Sequence, residues 1–101
     1  MKKILLVCNA GMSTSMLVKK MQTEASNRNL DVHIEAKSLT DAKKGLGDED
    51  VVLLGPQIRY ELNNVKQLVA GKIPVDAINM QDYGLMRGDK VLDQALGLMG
   101  D

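Results

Sequence analysis

Apolar positions along this chain follow two different spacings. Residues 3–8 hold the run Ile4-Leu5-Leu6-Val7-Cys8, and Val51-Val52-Leu53-Leu54 is apolar throughout. Unbroken β-branched and leucine runs of this length predict central parallel strands covered on both faces. Asp31-Val32-His33-Ile34-Glu35-Ala36 instead alternates polar with apolar, the pattern of a strand with one wet face, and is expected at an edge. Ile73-Pro74-Val75-Asp76-Ala77-Ile78 is the fourth candidate strand. Pro74 has no N–H to give to a ladder, so this strand also belongs at an edge.

Helical spacing fills the intervals. Leu17, Met21 and Ala25 recur every fourth position and predict a helix over 13–27, ended by Asn27-Arg28-Asn29. Thr40 is expected to cap a short helix reaching Gly45. Ile58, Leu62, Val65 and Val69 form a stripe that predicts a helix over 57–70, following Gly55-Pro56. Residues 79–88 read as a connection, and Asp89 opens a last helix with Val91, Leu92, Ala95, Leu96 and Met99 inward. The expected fold class is therefore α/β, with a four-stranded parallel sheet in the order 2-1-3-4, right-handed crossovers and helices on both faces. Ligands on such sheets bind beyond the carboxyl ends of the strands, where the strand order reverses. Here that place lies between strands 1 and 3, with Cys8 facing Gly55-Pro56-Gln57.

Composition narrows the function classes. A length of 101 residues fits one domain over 1–101 and one core. The core is aliphatic: Phe and Trp are absent, Tyr60 and Tyr83 are the aromatic residues, and seven Met soften the packing. Thirteen basic and thirteen acidic residues cancel, which disfavours sequence-independent binding to nucleic acid or to an anionic membrane. No apolar run approaches the roughly 20 residues that span a bilayer. The apolar stretch after Met1-Lys2-Lys3 is too short for a secretory leader. One cysteine forms no internal disulfide, so a reducing cytoplasm is expected. His33 stands alone, and Cys8 has no His or second Cys close in sequence, so no metal cluster is expected.

A free cysteine at the end of a core strand is often only a small buried hydrophobe. Cys8 has three further features. It falls at the functional end of the sheet, it is followed by Asn9-Ala10-Gly11-Met12-Ser13-Thr14-Ser15, and it precedes a helix N-terminus. Backbone N–H groups at a helix start lack intrahelical partners and carry the positive end of the dipole, which favours a thiolate and holds phosphate. Ser13, Thr14 and Ser15 suit both helix capping and phosphate contact, and Gly11 suits a positive φ or a close backbone approach. The loop resembles the C-x5-R-S/T cradle of low-molecular-weight tyrosine phosphatases and related arsenate reductases, and the expected fold is similar to theirs. The arginine position is Thr14 here. Without a bidentate guanidinium the hydrolysis of a thiophosphate is poorly assisted, which suits a phosphate carrier better than a phosphatase.

Three segments together carry a closer resemblance: Ile4 through Ser15, Leu53-Leu54-Gly55-Pro56-Gln57-Ile58-Arg59-Tyr60, and Ile78-Asn79-Met80-Gln81-Asp82-Tyr83-Gly84. In their order and spacing the chain resembles enzyme IIB of the bacterial phosphoenolpyruvate-dependent sugar phosphotransferase system, of the lactose/cellobiose (N,N'-diacetylchitobiose) type. The resemblance implies a protein-phosphocysteine–sugar phosphotransferase without a cofactor or metal. A phosphohistidine on a IIA protein would phosphorylate Cys8, and the group would pass to a β-linked disaccharide entering through the membrane IIC permease. It implies that the backbone of Asn9, Ala10, Gly11, Met12, Ser13, Thr14 and Ser15 binds the phosphoryl group. Gln57, Tyr60 and Tyr83 are expected at the rim as partner contacts, Arg59 on a solvated helix face. Asp82 is a weaker candidate general acid, because a leaving imidazole needs little help.

Other classes fit less well. A response regulator needs an aspartate after strand 3, where Gly55 stands, and Asp48, Glu49 and Asp50 precede that strand. A dinucleotide-binding turn needs G-x-G-x-x-G, which is absent. A low-molecular-weight cysteine phosphatase remains the enzymatic alternative, and a binding domain with an inert cysteine the non-enzymatic one.

Overall fold

The computed structural model describes residues 1–8 and 12–100, with Met12 and Ser13 as backbone. The elements are β1 (Lys2–Cys8), α1 (Met12–Asn27), β2 (Val32–Ser38), α2 (Leu39–Lys44), β3 (Val51–Leu54), a 3-10 helix (Pro56–Glu61), α3 (Leu62–Leu68), β4 (Val75–Ala77), α4 (Met80–Gly84) and α5 (Gly88–Met99). The strands form one parallel sheet in the order β2-β1-β3-β4, as the sequence predicts. β1 runs beside β2 from Lys2 opposite Val32 to Cys8 opposite Ser38, and beside β3 from Ile4 opposite Val51 to Val7 opposite Leu54.

Alternation along the two central strands divides the interior into two layers. Ile4, Leu6, Val51 and Leu53 pack with Leu17, Met21, Val91, Leu92 and Ala95 of α1 and α5. Leu5, Val7, Val52 and Leu54 pack on the other face with Ala42, Ile58, Val65 and Val69. All eight strand residues are essentially inaccessible, and each such side chain contributes about 1.5–3 kcal/mol by leaving water. Helices α1 and α5 approach closely because residue 88 is glycine. A Cβ there would lie 2.8 Å from the carbonyl carbon and the Cβ of Lys20 and 2.9 Å from Met21 N.

Three local details differ from the sequence expectations. The cap of α2 is Ser38, whose Oγ accepts from Asp41 N at 3.1 Å, and Thr40 lies inside the helix. The stretch 57–70 is no single helix: Ile58, at φ −120 and ψ 24, interrupts it, and α3 occupies only Leu62–Leu68. The tighter 3-10 turn, with Pro56 in its first turn, still lets Ile58 bury completely beneath the sheet. Within 79–88, Asn79 caps α4 by accepting from Gln81 N at 3.0 Å and Asp82 N at 3.1 Å.

Candidate functional site

The parallel register collects the carboxyl ends of all four strands at one side of the molecule. Cys8, the last residue of β1, is 7% exposed and lies opposite Ser38. It shares the parity of Ile4 and Leu6, which face α1 and α5. On its other flank β3 ends in Gly55, whose N–H donates to the Val7 carbonyl at 2.7 Å. A Cβ on Gly55 would stand 3.2 Å from Cys8 Cβ and 3.0 Å from Gln57 Oε1. Glycine is thus what allows β3 to close against the thiol-bearing residue, with the Gln57 carboxamide oxygen on the same side of Gly55.

Asn9, Ala10 and Gly11, expected to hold phosphate, lie outside the described residues, as do the side chains of Met12 and Ser13. From Met12 the backbone is helical, so the first turn of α1, including the N–H groups of Met12, Ser13 and Thr14, has no intrahelical acceptors. Ser15 is exposed on the flank that faces β2, beside Gln22 and Ala36. Thr14 differs from expectation. Its side chain is 2% exposed and its Oγ1 is 3.0 Å from the Tyr83 hydroxyl, so the hydroxyl serves an internal bond rather than the surface.

Tyr83 is correspondingly not an exposed rim residue. It is 9% exposed and lines a depression of about 370 Å³, together with Pro56, Gln57, Met80 and Gly84. None of these five carries a charge. Gln57 and Arg59 are exposed as expected, and Tyr60 stands out at 72% exposure. Asp82 is half-buried on α4.

Two contributors escape the sequence reading. Met80, 57% exposed, borders the depression. Gln94 of α5 braces the turn beneath it: its Nε2 donates to the Ala77 carbonyl at 2.8 Å, and its Oε1 accepts from Asn79 N at 3.3 Å. A cap signal, Asn79 three residues before Asp82, is present in the sequence and marks α4. Nothing local marks Gln94. The assembled site is a buried thiol side chain, a helix start with orphan N–H donors and a neutral, partly apolar rim. Such a site suits an anion bound by dipoles beside a nucleophile.

Comparison with known proteins agrees with this geometry. The family model for the lactose/cellobiose specific IIB subunit of the sugar phosphotransferase system (PTS) matches residues 3–94. A cellobiose-specific PTS EIIB component of Lactococcus lactis subsp. lactis is 50% identical over 105 aligned residues, covering 97% of this chain and 96% of that protein. A galactose-specific EIIB component of Lactococcus lactis subsp. cremoris is equally similar, 50% identical over 105 with the same coverage of 97% and 96%. The solution structure of a cellobiose-specific IIB component from Borrelia burgdorferi superimposes with a TM-score of 0.80 at 42% identity, over 98% of this chain and 92% of that one. Among the described residues no helix is long and apolar enough to cross a membrane. The chain belongs to the lactose/cellobiose family of IIB subunits of the sugar phosphotransferase system.

Proposed function

We propose that Cys8 carries a phosphoryl group from a phosphohistidine on a IIA protein to a sugar delivered by the membrane IIC component. The observation that carries this reading is the position of Cys8, at the carboxyl end of β1 against Gly55 and four residues before α1 begins. In the first step the Cys8 sulfur attacks phosphorus in line, the P–N bond breaks, and the imidazole leaves. In the second, a primary hydroxyl of the sugar attacks phosphorus and loses its proton, the S–P bond breaks, and the thiolate is restored. Splitting one transfer into two is the advantage of covalent catalysis. The backbone N–H groups of residues 9–15 hold the non-bridging oxygens, with the hydroxyl of Ser13 as a further donor. Gln57, with Met80 beside it across the uncharged depression, and the exposed Tyr60 meet the two partners.

The sugar is a β-linked disaccharide in this reading. Equal similarity to components named for cellobiose and for galactose supports placing the choice of sugar largely in IIC. The protein acts in the cytoplasm and visits the membrane only through its permease. The phosphatase alternative is weakened by Thr14: where phosphatases place a guanidinium, a buried hydroxyl bonds to Tyr83.

Intact mass after incubation with phosphoenolpyruvate, enzyme I, the small histidine-containing carrier and a cognate IIA tests the proposal. One added phosphoryl group is expected on the wild type and none on Cys8→Ser. Labelling of the variant to the same extent overturns it.

A further inference from the structure

We infer that Tyr83 is a positioning residue for the first-turn N–H donors of α1, acting through the buried hydroxyl of Thr14; this rests on the phosphoryl-carrier reading of Cys8. Thr14 is the buried polar residue among the described residues, and its partner is 69 positions away on α4. Two hydroxyls removed from water need each other, because a buried hydroxyl without a partner is costly. The bond therefore fixes where the first turn of α1 sits.

The other anchor of α1 shows what depends on that bond. The close crossing with α5 falls at Lys20 and Met21, against Gly88. Six residues of helix, about 9 Å, separate that contact from Thr14. With the crossing as pivot, a tilt of about 5° over that length displaces the first-turn N–H groups by roughly 0.8 Å. Those groups are the proposed phosphate donors, and a displacement of about 1 Å from a reacting centre can cost about a hundredfold in rate.

The far side of the bond is itself held firmly. Tyr83 N donates to the Asn79 carbonyl at 2.9 Å, and Met86 N donates to the Tyr83 carbonyl at 3.1 Å. Gln94 ties the Asn79 N–H to α5. Since α5 also contacts α1 at Gly88, the tyrosine hydroxyl closes a loop of contacts through α1, α5 and α4. Tyr83 thus acts on the first turn of α1 from inside, although it also lines the depression.

The test measures transfer from phosphorylated IIA to Cys8 as a function of IIA concentration, together with thermal stability. Tyr83→Phe and Thr14→Val are each expected to lower the maximal rate about tenfold with KM within about twofold, and the double variant to be no slower than either. Thr14→Ser, which keeps the hydroxyl, is expected to recover most of the rate. Val65→Ala supplies a destabilised comparison on the opposite face of the sheet, with wild-type transfer expected. Wild-type rates in Tyr83→Phe overturn the inference, as does slowing in Val65→Ala in proportion to lost stability. A double variant about a hundredfold slower also overturns it, because the two side chains would then act independently. Absence of phosphorylation in the wild type overturns the carrier reading instead.

Discussion

The two central strands leave the sheet at the same end, yet the chain continues differently from each. After β1 it enters α1, a helix of 16 residues whose third residue, Thr14, is buried and bonded to Tyr83. After β3 it enters a 3-10 helix of 6 residues, breaks at Ile58, and continues into α3 of only 7. The first junction is held from within. The second exposes Gln57, Arg59 and Tyr60 to solvent. Donors that must stay aligned with a small anion profit from a long helix with fixed anchors. A surface that meets two partners in turn needs shape and exposure more than fixed dipoles.

Damage to the first junction is therefore expected to cost the most. Gly88→Val places atoms inside the 2.8 Å approach to Lys20 and forces α5 off α1. A loss of about 3 kcal/mol is expected in chemical denaturation, with slowed transfer to Cys8. Val65→Ala, in the layer behind the second junction, is expected to cost about 1–2 kcal/mol and to leave transfer unchanged. If both variants slow transfer per unit of stability lost, the contrast between the junctions is wrong.

Gly55→Ala joins the two regions. The added methyl stands 3.2 Å from Cys8 Cβ and 3.0 Å from Gln57 Oε1, so the carboxamide is the group that gives way. Under about 1 kcal/mol of lost stability is expected, with phosphorylation of Cys8 about fivefold slower. A wild-type rate would mean that Gln57 has no part at the lip.

The smallest effect concerns the start of α5. The Arg87 guanidinium donates to Asp89 at 3.1 and 3.2 Å and, with the Lys90 N–H, lowers its carboxyl pKa from 3.8 to about 2. A carboxyl whose folded pKa is depressed contributes stability that is complete above its unfolded value. It is lost as pH falls from 3.8 through about 2. Asp89→Asn is expected to remove a small increment at neutral pH, as befits an exposed pair, and to flatten the acid limb of the denaturation profile over that interval. An unchanged acid limb would contradict the assignment.

The sequence alone makes the same contrast partly legible. β1 and β3 are continuous apolar runs, and α1 has a strict four-residue stripe, so burial on both sides leaves little choice of element. Pro74 and the alternation around His33 push the remaining strands outward, which leaves β1 and β3 at the centre of the sheet. The second junction misleads because Ile58, Leu62, Val65 and Val69 keep helical spacing across a break that only the backbone at Ile58 reveals. Short helices hide for another reason: α2 and α4 have six and five residues, below what propensity alone stabilises, and their caps decide them. Ser38 with Asp41 and Asn79 with Asp82 are readable cap pairs, and the α2 pair outcompetes Thr40. The bond between Thr14 and Tyr83 is not readable, since local spacing says nothing about partners 69 residues apart.

The central claim is that Cys8 holds a phosphoryl group in order to pass it on, and the fate of that group tests it most directly. The protein is phosphorylated through radiolabelled phosphoenolpyruvate and freed of donors, and the label is followed with and without unphosphorylated IIA. The account predicts that label stays on the protein when no acceptor is present and moves to IIA on addition. Rapid release as inorganic phosphate in both cases would contradict it and describe a phosphatase.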